Sequence, residues 1–127
     1  MGAPYELAWD IEAKRLRFAM RGMWTGATMS SWSREYRAAV LAPPGPRWTV
    51  LADMTDYPPQ SDSIQKGHEE LIAFSAQHGM VKAIMVVPKA VAAMQMKRLV
   101  GQAGAASVIG FVSSVAEAEK ILNGCAV

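Results

Sequence analysis

The chain has 127 residues, of which 51% are hydrophobic and 19% charged, and its formal net charge is +2. This length suits one domain, and this composition excludes a disordered, collagen-like or disulfide-scaffold protein. An excess of two positive charges is too small to indicate nucleic-acid binding, which usually requires a concentrated basic face. We therefore expect a single globular domain that spans 1–127 and has no nucleic-acid partner.

The first third of the chain predicts a hairpin followed by a helix. Residues 5–9 alternate weakly and residues 15–21 alternate clearly between apolar and polar, so a turn at 10–14 joins two antiparallel strands. After Gly22 the apolar period becomes helical over about 26–41, and this helix ends before a proline-rich loop. The basic residues here are expected on the solvent face of the second strand: Lys14, Arg15, Arg17 and Arg21.

The rest of the chain alternates buried strands with helices. Apolar runs predict strands at 48–53, 81–87 and 107–112. Helical periodicity predicts one helix from Ser61 or Asp62 to His78, one over about 90–103, and one from Ser114 to Leu122. Two pairs have capping-box spacing, namely Asp62 with Gln65 and Ser114 with Glu117. The order β-β-α-β-α-β-α-β-α predicts an α/β fold with a mixed five-stranded sheet, four helices and right-handed crossovers.

The cysteine content and the apolar pattern predict the cellular compartment. Cys125 is the one cysteine, so the chain forms no intrachain disulfide, as is typical of a reducing compartment. Acidic residues interrupt any signal-peptide-like run near Met1, and the uncharged stretch 99–116 has too many glycines and serines for a membrane span. We expect a cytoplasmic protein with no integral membrane segment.

Catalytic and cofactor motifs are not found in the sequence. It has no G-x-S-x-G, P-loop, G-x-G-x-x-G or H-E-x-x-H pattern, so no cofactor and no metal site are expected. The histidines, His68 and His78, lie on one predicted helix about 80° and about 15 Å apart, too far to share a metal ion. His68 is interpreted as a core histidine, with a general base or an acid-sensitive switch as the alternative.

The segment after the third strand holds the candidate binding loop. In open α/β sheets, sites form outside the carboxyl ends of the strands, and helix N-termini there offer free N–H groups. The alternative is that these polar residues only cap helices and form turns. The candidate loop residues are Asp53, Thr55, Tyr57, Ser61, Asp62 and Ser63, and the candidate pocket residues at the same edge are Trp24, His68 and Ser113.

Several short motifs in this order carry a family resemblance. They are Gly22-x-Trp24-Thr25, Leu51-Ala52-Asp53, Val81 to Val87, Gln95 to Arg98 with Gly104, and Phe111 followed by Ala116-Glu117-Ala118. Over about 5–122 the chain resembles a STAS domain of the SpoIIAA-like bacterial branch, which is itself similar to a minimal Sec14 core. The resemblance implies a βα superhelix with a regulatory or binding role, and it implies that Ser63 is the phosphoacceptor at the start of the helix after the third strand.

Three functions are consistent with these features. The leading one is a non-enzymatic module that binds a regulatory protein partner or a small ligand, assembled as a homodimer because closed twofold pairs are the commonest assembly. The second is a Sec14-like carrier of a small apolar ligand or lipid, with Trp24, Tyr57 and methionines around a pocket. The third is a small hydrolase or transferase that uses His68 with Asp53 or Ser63.

Overall fold

The element order agrees with the one expected from the sequence. The computed structural model describes residues 2–127, which contain five strands and four helices. The strands are β1 (Tyr5–Asp10), β2 (Arg15–Arg21), β3 (Trp48–Asp56), β4 (Met80–Val86) and β5 (Ile109–Val112). The helices are α1 (Gly26–Val40), α2 (Asp62–Gln77), α3 (Ala90–Gln102) and α4 (Val115–Asn123).

The sheet has the order β1-β2-β3-β4-β5, with β1 antiparallel to β2 and every other pair parallel. Because each crossover moves one strand further in the same direction and has the same hand, α1, α2 and α3 lie on one face. Their apolar residues form the main core with one side of the sheet. Helix α4 packs on the other face, against β3, β4 and β5. The predicted α/β fold is confirmed.

The boundaries of two strands differ from the prediction by more than one residue. Strand β3 continues to Asp56 instead of ending at Asp53, because Arg21 of β2 still pairs with Asp56 after a bulge. Strand β5 begins at Ile109 instead of Ser107, because Val108 closes a turn by donating its N–H to the carbonyl of Ala105 at 3.1 Å. The bulge in β3 also interrupts the alternation of side chains between Asp53 and Tyr57.

The helix caps follow the predicted pattern at α4 but not at α2. At α4, Ser114 Oγ accepts from the Glu117 N–H at 3.2 Å, as the capping box requires. At α2 the cap is Ser61, and the predicted pairing of Asp62 with Gln65 is wrong. Gln65 instead donates its side-chain amide to the carbonyl of Gln60 at 3.0 Å, one turn before it.

The predicted solvent face of β2 is partly covered. Arg15 is only 6% exposed, because α4 folds back over this side of the sheet. Its guanidinium donates to Asn123 Oδ1 at 3.1 Å, and its Nε has no partner among residues 2–127. Arg17 pairs with Glu119 of α4 at 2.8 Å. No helix within residues 2–127 has the length and apolar character needed to cross a bilayer.

Candidate functional site

The sheet separates the residues of the predicted loop into two groups. Along β3, Ala52 and Met54 point into the main core, whereas Leu51 packs under α4. Alternation therefore places Asp53 and Thr55 on the α4 side of the sheet. Asp53 Oδ1 accepts from the Thr55 N–H at 3.1 Å and from the Thr55 hydroxyl at 2.6 Å.

Tyr57, His68 and Trp24 meet on the opposite side, inside the main core. The Tyr57 hydroxyl shares a hydrogen bond of 2.7 Å with His68 Nε2. The Trp24 ring lies 5.4 Å from the Tyr57 ring and 5.2 Å from the His68 ring, measured between centroids. Burial lowers the pKa of His68 from 6.5 to about 4 and raises the pKa of Tyr57. At neutral pH both side chains are therefore uncharged.

This geometry argues against the proposed use of His68 as a catalytic base. His68 is 5% exposed, and Asp53 lies across the sheet from it. Ser63 is exposed on α2 and its Oγ is near Ser61 Oγ, at 3.4 Å, not near the imidazole. A general base must reach the proton that it removes, which a side chain sealed in the core does not do. The structure therefore gives no support to the hydrolase or transferase hypothesis, and it places His68 in the core.

The interior beside His68 offers little space for a ligand. One cavity of about 30 Å³ is lined by residues that include Trp32, His68 and Met96, and one of about 10 Å³ lies between Tyr57 and Met96. Small-molecule sites occupy about 300–1,000 Å³. The cavities beside Tyr57 and the methionines are thus far smaller in volume than the ligand site of an apolar carrier. Trp24 lines neither cavity and packs as a core residue, so the Sec14-like alternative gains no support.

Gln60, which no sequence pattern predicts as a site residue, organises this edge of the sheet. Its side chain accepts from the Trp24 N–H at 2.9 Å and donates to the carbonyls of Gly22 and Pro58, both at 2.9 Å. Its backbone N–H donates to Gln95 Oε1 of α3 at 2.9 Å. Gln60 thus joins the β2–α1 loop, the β3–α2 loop and α3. A single glutamine after two prolines is typical of an exposed loop, and no local pattern indicates this role.

The outer side of the same edge is partly apolar. Met23 follows β2, and Val91 and Met94 lie on the first turns of α3, which starts beyond the end of β4. The hydrogen bonds of Gln60 hold these segments beside the start of α2, where the loop serines are exposed. Ser113 is exposed at the end of β5, the last strand of this edge. We call six exposed residues of this edge the carboxyl-edge surface: Met23, Ser61, Asp62, Ser63, Val91 and Met94.

Comparisons with known proteins bear on the fold. No family model and no curated protein matches the chain. Among solved structures, it is similar to the anti-sigma factor antagonist SpoIIAA in its unphosphorylated form, with a TM-score of 0.61 and 11% sequence identity. The alignment covers 97% of this chain and 99% of that chain. The chain has a SpoIIAA-like, STAS-type fold. The resemblance predicted from the sequence motifs is confirmed at the level of the fold.

Proposed function

We propose that this protein is a cytoplasmic, non-enzymatic regulatory module that binds a protein partner through the carboxyl-edge surface. The observation that carries the proposal is the exposure of Met23, Val91 and Met94 on segments that the hydrogen bonds of Gln60 hold together at one polar edge of the sheet. Exposed apolar groups rimmed by polar residues mark protein interaction sites, and methionine adapts its shape to a partner. SpoIIAA is an anti-sigma factor antagonist, and the shared fold favours a protein as the ligand here.

Ser63 is the proposed control point of this surface. It is exposed in the first turn of α2, two residues after the cap Ser61. A phosphoryl group there adds about two negative charges and is stabilised by the positive end of the helix dipole. Ser63 lies one turn before Gly67, which faces Met29 of α1, so the added charges enter this edge on the side of α1 and the loop that carries Met23. Phosphorylation is therefore expected to weaken an apolar interface at this edge.

Photo-crosslinking tests the location of the interface. A photoreactive amino acid at Met94, which is 69% exposed, is compared with one at Leu41, which is 65% exposed after the end of α1 at the opposite edge. We expect one discrete crosslinked partner from Met94 and none from Leu41. Equal crosslinking from both positions contradicts a docking surface at the carboxyl edge.

The partner identified in this way then tests the role of Ser63. We expect Ser63→Asp to weaken its affinity by about tenfold, which is about 1.4 kcal/mol, and Ser63→Ala to leave it unchanged. Unchanged affinity in Ser63→Asp removes Ser63 from the proposal. The predicted homodimer stays a prediction, which sedimentation velocity of the purified protein tests.

A further inference from the structure

A groove lies on the α4 side of the sheet, away from the carboxyl-edge surface. Helix α4 covers β3, β4 and β5 on this side and leaves β1 and β2 partly open beside it. The resulting groove has a volume of about 310 Å³, within the range of about 300–1,000 Å³ typical of small-molecule sites. Its size distinguishes it from the small cavities of the main core.

Two rows of side chains form the floor of the groove. In the strand register, Ala8 of β1 is beside Arg17 of β2, which is beside Leu51 of β3. The next row is Glu6, Ala19 and Asp53. Each row contains a small alanine, and Leu51 and Val115 add apolar lining. A ligand here therefore contacts aliphatic surface on one side and charged groups on the other.

The charged groups of the groove are neutralised except for one. Arg17 pairs with Glu119 at 2.8 Å, and Glu6 pairs with Arg21 at 2.9 Å. Asp53 makes no ion pair within residues 2–127, and its hydrogen bonds from Thr55 reach only Oδ1. Oδ2 is left as an acceptor without a donor among these residues, beside the Ala19 position. The groove thus carries one uncompensated negative charge next to an aliphatic floor.

From this arrangement we infer that the groove binds a primary ammonium group carried on a short aliphatic chain. The ammonium group donates to Asp53 Oδ2 above Ala19, as charge-assisted hydrogen bonds to carboxylates favour. The aliphatic chain lies along Val115 and Leu51 and over the aliphatic stem of the paired Arg17, toward Ala8. A carboxylate or phosphate ligand is disfavoured, because Arg17 and Arg21 are already paired with acidic side chains. A free amine and the lysine side chain of a peptide share this chemistry.

Titration of the isotope-labelled protein with n-butylammonium, followed by amide NMR, tests the inference. We expect saturable shifts at Ala8, Ala19 and Asp53 that weaken as salt is added. We expect no saturation with butyrate or 1-butanol, which have chains of similar length without the cation. Equal binding of butyrate or butanol, or shifts that map elsewhere, overturns the inference.

Variants connect the binding to Asp53 and to the groove. Asp53→Asn retains an oxygen for Thr55 but removes the charge, and we expect affinity for n-butylammonium to fall about tenfold or more. Ala19→Val fills the floor of the groove and is expected to reduce the affinity similarly. Asp56→Asn is the matched control, because it changes an exposed carboxylate outside the groove and should leave the affinity unchanged. Unchanged affinity in both Asp53→Asn and Ala19→Val overturns the inference.

A further titration distinguishes the two sources of the ammonium group. Acetyl-Gly-Lys-Gly-amide presents it on a peptide. Binding of this peptide as tight as that of n-butylammonium assigns the groove to a lysine of a partner, and binding of n-butylammonium alone assigns it to a free amine. Failure of both ligands to bind overturns the inference and leaves the carboxyl-edge proposal untouched, because the two surfaces share no residue.

Discussion

Acidification is expected to destabilise this protein through His68. In the folded state the imidazole is buried against Tyr57 and Trp24, and its pKa falls from 6.5 to about 4. The unfolded chain binds the proton at an ordinary pKa, so between these two values the unfolded state carries more protons than the folded state. Stability is therefore highest above the unfolded pKa and is lost as the pH falls toward the folded pKa.

The magnitude follows from the interval between the two pKa values. At about 1.4 kcal/mol for each pKa unit, the interval from 6.5 to about 4 corresponds to about 3 kcal/mol of unfolding free energy. Between about pH 7 and about pH 5, where only part of the interval is crossed, the loss from His68 is about 2 kcal/mol. This is a large fraction of the stability of a small domain.

Urea unfolding of the wild type and of His68→Gln at both pH values isolates this contribution. Glutamine can still hydrogen-bond to Tyr57 but does not titrate, so the variant should lose about 2 kcal/mol less than the wild type over this range. The exposed Gln77 on the same helix provides the control, because Gln77→Ala changes no titratable group and should lose as much as the wild type. Equal losses in the wild type and His68→Gln would show that His68 is not held neutral by burial.

Two further predictions concern the backbone and the loop network. Gln60→Ala removes three side-chain hydrogen bonds and should cost about 3 kcal/mol in urea unfolding, against about 2 kcal/mol for Gln95→Ala, which removes two. Equal costs would contradict the joining role of the Gln60 side chain. Gly79→Ala should cost more than about 2 kcal/mol, because Gly79 has a φ of +104° and a new Cβ would lie 2.4 Å from the Pro46 carbonyl oxygen. Gly101 lies in helical backbone with open space around it, so Gly101→Ala should raise the free energy of unfolding by about 0.5–1 kcal/mol and with it the melting temperature. A destabilised Gly101→Ala variant would refute this contrast.

The fold could be predicted because its signals are local. Alternation in β2, apolar runs in the parallel strands and the Ser114 capping box each depend on neighbouring residues. The candidate site could be predicted only as a stretch of chain. Simple alternation would put Asp53 and Tyr57 on the same side of the sheet, but the bulge between them in β3 places them on opposite sides. That bulge arises in the pairing of β3 with β2, which is a tertiary contact.

The same limit applies to the buried polar residues. Gln60 is buried because three segments converge on it, and nothing in the composition of its own loop indicates that convergence. Arg15 is buried because α4 returns over β2 from the far end of the chain. In both cases the environment comes from residues distant in sequence, which periodicity does not report.

The burial of Arg15 beneath α4 has a consequence for the order in which the structure opens. Detaching α4 uncovers few apolar residues of the sheet, chiefly Leu51, Ile84 and Val86, and leaves the core beneath α1, α2 and α3 intact. It also gives the Arg15 Nε access to water, which offsets part of the cost of opening. We therefore expect α4 to open as a separate cooperative unit while the remainder of the protein stays folded.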